Sequence, residues 1–289
     1  MNEIQKKAIL LKVNITLPGL RRGDKDTTNE IVREKGMGKD AGKWHKHLYP
    51  EGAYHKPEGL KKDAPPTNAW VWQSQFRTGI EDMTLAWPDP GIRLLPMTKH
   101  DALAEFVRGQ VTVFDQMRDL FVANLAEYEA WARKEHNGTF DPKFYRREVV
   151  EPKFKLKVEF RPIPSDDQFS EGITAMVGSV NADECVAAAL KEANKDLFTR
   201  LAAPVKKLAE TLKDSNKKFK DSLVGNILDV ANEVQSLNVT NDPGLMLICD
   251  QMVNRLAARP AQTLRQRFGA RAQVAADADA ILEKMKGYV

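Results

Sequence analysis

Apolar residues recur at three- and four-residue spacing over most of this chain, and that constrains its fold more than any other feature. After Thr98 the stripe runs through Leu103, Phe106, Val107, Phe114, Met117, Leu120, Phe121, Leu125, Tyr128 and Trp131. Side chains spaced in this way share one helix face. The pattern predicts a helix over 98–135, roughly ten turns long. Thr98 reads as its N-cap, with Asp101 in the first turn, and Asn137-Gly138 as its end. A second helix follows Leu190, Leu197, Leu201, Leu208 and Leu212, with a kink expected at Pro204. A third follows Phe219, Leu223, Ile227, Val230, Val234 and Leu237. A capped start at Asn241 or Asp242, with Pro243 at the first position, opens a fourth, which carries Leu245, Ile248, Met252, Val253 and Leu256. Pro260 opens a fifth, with Leu264, Phe268, Ala275, Ala278, Ile281, Leu282 and Met285 on one face. Leu120, Leu197, Val230 and Ile281 stand for the expected buried core.

The other regular signal has a period of two. In "KFKLKVEFRP", Phe154, Leu156, Val158 and Phe160 face one way, and Lys153, Lys155, Lys157, Glu159 and Arg161 face the other. Val13, Ile15 and Leu17 alternate with polar neighbours until Pro18. A lone strand is not stable, so 11–17 is expected to pair with 153–161, and "GITAMV" at 172–177 to add a third strand. "TLAWPDPGIRLLP" at 84–96 reads as turns, the tightest at Asp89-Pro90-Gly91. The 289 residues can bury one large core or two modest ones. The expectation is an α-rich α+β fold: an elongated antiparallel helical bundle or coiled coil, with a small β-sheet and a basic N-terminal segment at one end. Residues 1–97 form that segment, with a short strand and Trp/Pro-rich turns. Residues 98–289 form the bundle, with a strand inserted near 153–161.

The chemistry is defined largely by exclusion. There is no HExxH and no GxSxG. "EKGMGKDAGK" at 34–43 approaches a phosphate loop, but that loop needs a glycine at 33 and a hydroxyl at 40, where the chain has Arg33 and Asp40. Acidic pairs such as Asp24/Asp26, Glu81/Asp82 and Asp166/Asp167 read as solvated turn formers. His45, His47 and His55, with Glu51, offer metal-ligand atom types, but their spacing matches no common zinc module and no cysteine lies near. They are read as rings in a basic loop, with no metal and no cofactor. Cys185 and Cys249 fall on apolar helix faces and are expected to be buried, reduced thiols. No apolar run is long enough to span a bilayer, and no signal-peptide core follows Met1. A soluble, cytoplasmic, non-enzymatic protein is the expectation.

What remains is charge with aromatics among it. Residues 1–63 hold 14 Lys or Arg against nine Asp or Glu, although the whole chain carries only +4. Within "KWHKHLYPEGAYHKPEGLKK" at 43–62, cations alternate with rings. Single-stranded nucleic-acid sites use this combination, because cations follow the backbone while rings stack on bases. The candidate binding residues are Lys39, Lys43, Trp44, Lys46, Tyr54, Lys56, Lys61 and Lys62. The competing reading is that Trp44, Tyr49 and Tyr54 pin a loop to the core while the lysines face water.

Several stretches, in order along nearly the whole chain, carry a resemblance. They are "DAGKWHKHLYP" at 40–50, "TLAWPDPGIRLLP" at 84–96, "FDPKFY" at 140–145 with "FKLKVEFRPIP" after it, "FKDSLVGNI" at 219–227 and "LNVTNDP" at 237–243. In these the chain resembles a family of uncharacterised helical proteins of tailed bacteriophages, some of them companions of MoxR-type AAA+ ATPases. The family pattern has Thr-Leu-Pro-Trp where this chain has Thr84-Leu85-Ala86-Trp87. The resemblance implies a phage accessory protein in the bacterial host cell, without a catalytic set to carry over. A nucleic-acid partner, a protein partner such as an AAA+ ATPase, and a homo-oligomer are all compatible with it.

Overall fold

The computed structural model describes residues 3–19, 21–23, 45–50, 53, 69–135, 140–165, 182–214 and 217–288. The fold is mostly helical, with a small four-stranded antiparallel sheet. Two compact units interleave along the chain. The first takes 1–12, 80–104 and 159–289; the second takes 13–79 and 105–158. The boundary at 97/98 drawn from sequence falls inside the first unit.

Six strands are described, of which β2 (Arg21–Gly23) and β3 (His45–His47) pair with each other and the other four form the larger sheet. The strands of that sheet are β1 (Ala8–Thr16), β4 (Leu85–Ala86), β5 (Ile92–Pro96) and β6 (Lys155–Arg161), in the order β4-β5-β1-β6. β1 begins upstream of the predicted strand, at Ala8, where Leu10 and Leu11 are both buried. It pairs antiparallel with β5 from Ala8↔Pro96 to Lys12↔Ile92. β6 is its other neighbour, the partnership that alternating hydrophobicity called for. Among the described residues β6 is the last strand in that order, and its Lys155 and Lys157 are exposed. Phe160 departs from the expected inward face and is exposed. Residues 84–96 are not all turn. They make the β4–β5 hairpin, with its turn where Asp89-Pro90-Gly91 predicted one: the Ile92 amide donates to the Asp89 carbonyl at 3.1 Å. Gly91 has φ +76°, a value that favours glycine. The segment 172–177 lies outside the described residues.

In the first unit α6 (Ala182–Lys213) is the longest helix among the described residues. Its buried face follows Val186, Ala189, Ala193, Leu197, Leu201, Val205, Leu208 and Leu212, which includes the expected stripe except Leu190, half-buried at its margin. The helix runs on through Pro204, which offers no amide to the Arg200 carbonyl. α7 (Ser222–Leu237), α8 (Pro243–Gln251), a π-helical turn (Met252–Ala257), α9 (Ala261–Gln266) and α10 (Phe268–Met285) complete this layer. α8 is capped by Asp242, whose carboxylate accepts from the Leu245 amide at 2.9 Å, with Pro243 at the first position. The fifth predicted helix is broken at Arg267, which is extended (φ −118°, ψ 104°). The break separates Phe268 from the apolar face assigned to it and leaves that ring 74% exposed. Leu197 and Ile281 are buried as expected, whereas Val230 is half-buried against the same core.

The second unit has an aromatic core. The 98–135 helix is two helices, α3 (His100–Ala123) and α4 (Leu125–Glu135), joined at Asn124. The Asn124 side chain donates to the Leu120 carbonyl at 3.0 Å, competing with the helical ladder there. Leu120 is half-buried rather than core. Thr98 is not a cap; it sits in a 3-10 turn (Met97–Lys99) and donates to the Ser236 carbonyl at 2.8 Å. The Trp-rich patch at 70–72 belongs to α2 (Ala69–Met83). Trp72 is buried, stacks on Phe76 at 5.3 Å and donates its indole N–H to Gln110 at 2.7 Å. Phe76 in turn stacks on Phe106, and Gly79 is what admits that ring: a Cβ there would lie 2.4 Å from Phe106. Phe114, Phe121 and Phe154 continue the core.

Candidate nucleic-acid interface

Of the eight candidate binding residues, Lys46 lies on a described element. It is in β3 (His45–His47), which pairs antiparallel with β2 (Arg21–Gly23), Arg22 opposite Lys46. Lys39, Lys43, Trp44, Tyr54, Lys56, Lys61 and Lys62 lie outside the described residues, as does His55.

The same segment carries three described residues that are buried: Leu48, Tyr49 and Ala53. Tyr49 is 1% exposed, with its ring edge-on to Phe121 (5.0 Å), Tyr145 (5.6 Å) and Tyr128 (6.0 Å). Three phenols tie the segment down. The Tyr49 hydroxyl donates to the Phe144 carbonyl at 2.8 Å, Tyr145 to the Leu48 carbonyl at 2.5 Å, and Tyr128 to the Ala53 carbonyl at 3.0 Å. Burial pushes all three phenol pKa values up; Tyr145 reaches about 12, and beside Tyr49 it adds to that residue's rise. Tyr49 is therefore a core anchor, not a ring free to stack on a base. For this residue the competing reading drawn from sequence is correct.

The anchor's partner is the "FDPKFY" stretch. Asp141 accepts from the Lys143 amide at 3.1 Å and opens a 3-10 turn (Pro142–Tyr145) that points its tyrosine inward. Lys143 and Lys153 stand 5.1 and 5.8 Å from the half-buried Phe144 ring. Arg133 covers Phe140 at 4.5 Å. Two of these cations are already matched, Lys143 with Asp141 (2.6 Å) and Arg133 with Glu129 (2.7 Å), as is Arg147 of the next helical turn with Glu151 (2.7 Å). The sequence signal for this pairing was the capped Asp-Pro turn followed by two aromatics, which a motif search for chemistry passes over.

In the first unit the conspicuous polar cluster is structural. Thr84 is fully buried, and its hydroxyl donates to the Ile80 carbonyl at 2.6 Å. Arg93 donates to the Thr84 hydroxyl at 3.0 Å and to its carbonyl at 3.2 Å; Arg200 donates to the same carbonyl at 2.9 Å and pairs with Asp196. Burial first, then the charge of Arg200, lowers the Arg93 pKa, while burial and Asp82 raise that of Glu233. These contacts explain why Thr84 and Arg93 bracket the hairpin stretch. The cysteines divide: Cys249 is buried, with its thiol pushed up to about 11 by burial, but Cys185 is exposed, against expectation. Its site on α6 faces away from the buried stripe. Among the described residues no group of three His, Cys, Asp or Glu is placed to hold a metal ion, and no helix is long and apolar enough to cross a membrane.

No family model, curated protein or solved structure matches this chain.

Proposed function

We propose that the chain is a non-enzymatic bacteriophage accessory protein that binds nucleic acid, single-stranded DNA foremost, through the 39–62 segment, in replication or recombination in the host cytoplasm. The helices of 98–289 serve it as an antiparallel bundle, and it works as an oligomer. The observation that carries this reading is the three-phenol anchor. It fastens a segment rich in lysine to a folded aromatic core at Leu48, Tyr49 and Ala53, while Lys143 and Lys153 flank the Phe144 ring whose carbonyl receives Tyr49. A lysine-rich segment held at fixed points loses less entropy on binding than a free tail.

The test is fluorescence anisotropy of a labelled single-stranded oligonucleotide over a range of salt. If about four lysines neutralise phosphates, log affinity falls with log salt at a slope near −3. Replacing Lys43, Lys46, Lys61 and Lys62 with Gln flattens that slope. Trp44→Ala weakens binding by about 1–3 kcal/mol with little change in slope, because stacking releases no counterions. Absence of binding at low salt sinks this reading. The second reading is docking of a protein such as an AAA+ ATPase, favoured by the exposed Phe268 and by Leu247, 55% exposed on α8. For it, a nuclease-resistant stoichiometric partner lost with Phe268→Ser is the expected result.

A further inference from the structure

The first unit contains a second concentration of positive charge, outside the 39–62 segment. Lys217, Lys218, Lys220, Arg265 and Arg271, with Asp221 as the carboxylate among them, line a cavity of about 1010 Å³. Arg271 is 6% exposed. Its guanidinium donates to the carbonyls of Thr211 and Leu212 at 2.8 Å, of Lys217 at 3.2 Å, and of Asp214. All four acceptors are neutral, and no carboxylate of a described residue pairs with it. The carbonyls of Thr211 and Leu212 put the negative end of α6 against its charge.

Phe219 holds the arrangement. Arg271 and Arg265 lie 5.4 and 5.7 Å from its ring, and Arg265 donates to its carbonyl at 3.2 Å. Arg265 also pairs with Asp221 at 2.7 Å. Lys217, Lys218 and Lys220 are exposed and make no ion pair with a described residue. Immediately beyond them α7 begins at Ser222 without a side-chain cap, so its positive end adds to the field. Five cations against one carboxylate at a concave surface favour a multiply charged anion over a single carboxylate.

We propose that this cavity is a phosphate-binding site that takes the backbone phosphates of a nucleic-acid strand. The proposal rests on the nucleic-acid reading for the source of the phosphate, but not for the site's affinity for phosphate itself. The full chain is therefore titrated with two probes at low ionic strength, inorganic pyrophosphate and a labelled single-stranded oligonucleotide. Replacing Lys217, Lys218 and Lys220 together with Gln touches exposed side chains only. It is expected to weaken pyrophosphate more than about tenfold and to reduce the oligonucleotide salt slope by about 2. Asp221→Asn removes the nearby negative charge and frees Arg265, so it is expected to tighten pyrophosphate about fourfold. Unchanged affinity for both probes in the triple variant, or no pyrophosphate binding by the wild type, overturns the site. Loss of pyrophosphate alone, with the oligonucleotide unaffected, overturns the nucleic-acid strand as its ligand. The 43/46/61/62 variant separates the two readings: if it leaves oligonucleotide binding intact while the 217/218/220 variant weakens it, the cavity stands and the loop assignment falls.

Discussion

Replacing Arg271 with Ala is expected to destabilise the first unit by roughly 3–5 kcal/mol. The Thr211 and Leu212 carbonyls at the end of α6 are buried, and each loses a charged donor at 2.8 Å. A buried acceptor left without a donor costs about 1–3 kcal/mol. Phe219 loses a cation at 5.4 Å, worth about 0.5–1 kcal/mol. The bonds to the Asp214 and Lys217 carbonyls are only part-buried, so water replaces the guanidinium there and they add little. Relief from burying a cation offsets part of the total. Arg271→Lys keeps the charge but lacks the planar fork that spans several carbonyls, and is expected to recover no more than half the loss. Urea unfolding followed by circular dichroism gives the magnitude, and hydrogen exchange gives the location: protection should fall at the end of α6 and along α10. A variant within 1 kcal/mol of wild type, or one that loses protection only in 105–158, would refute this reasoning.

Tyr145→Phe removes the donor to the Leu48 carbonyl; a cost of about 1–3 kcal/mol and faster proteolysis near 48–53 are expected. The phenols also set an alkaline limit. A phenol held neutral in the folded state contributes stability that is intact below its ordinary value of 10.0 and is lost as pH rises towards about 12 for Tyr145. Joint tyrosinate absorbance and circular dichroism should show unfolding in that window, and a chain stable through it would contradict the burial of these rings. Gly79→Ala sets a Cβ 2.4 Å from Phe106, and a melting experiment should show a loss of about 1–3 kcal/mol. A thiol reagent at mildly alkaline pH should modify Cys185 quickly and reach Cys249 only on unfolding, as peptide mass spectrometry can check.

The parts of the fold that were legible were those where side-chain period maps directly onto burial. Leu197, Leu201, Leu208 and Leu212 stand on the α6 face that their spacing implied, and the alternation around Val13 and Leu156 marked neighbouring strands. Periodicity failed where the backbone breaks without a strong breaker residue. Arg267 is a good helix former, yet it is extended; Asn124 is a weaker one whose side chain turns to the Leu120 carbonyl while the Tyr128 amide still donates to its own carbonyl at 3.0 Å. Two-residue β4 is too short to have a period. Site chemistry was less legible. Tyr49 looked like its neighbours in a lysine-rich stretch, and only its partners at 121, 128 and 145, distant in sequence, mark it as core. The same holds for Arg271, whose acceptors lie more than fifty positions upstream. An exposed-looking arginine in an alanine-rich helix gives no local sign of capping another helix.

The position of β1 matters for anyone trimming this chain. Residues 8–16 form an inner strand, with β5 on one side and β6 on the other. Cutting a dozen residues from the start would not remove a ragged tail. It would pull the central plank from the sheet, deprive β5 of its partner from Ile92 to Pro96, and expose new edges ready to zip onto other molecules. The same holds during synthesis. Leu10 and Leu11 leave the ribosome long before Leu94 and Leu95 exist to cover them, so the nascent chain must keep an apolar strand waiting across some eighty residues. Tags and fusions belong in front of an intact β1, and aggregation during expression is the first symptom to look for when it is shortened.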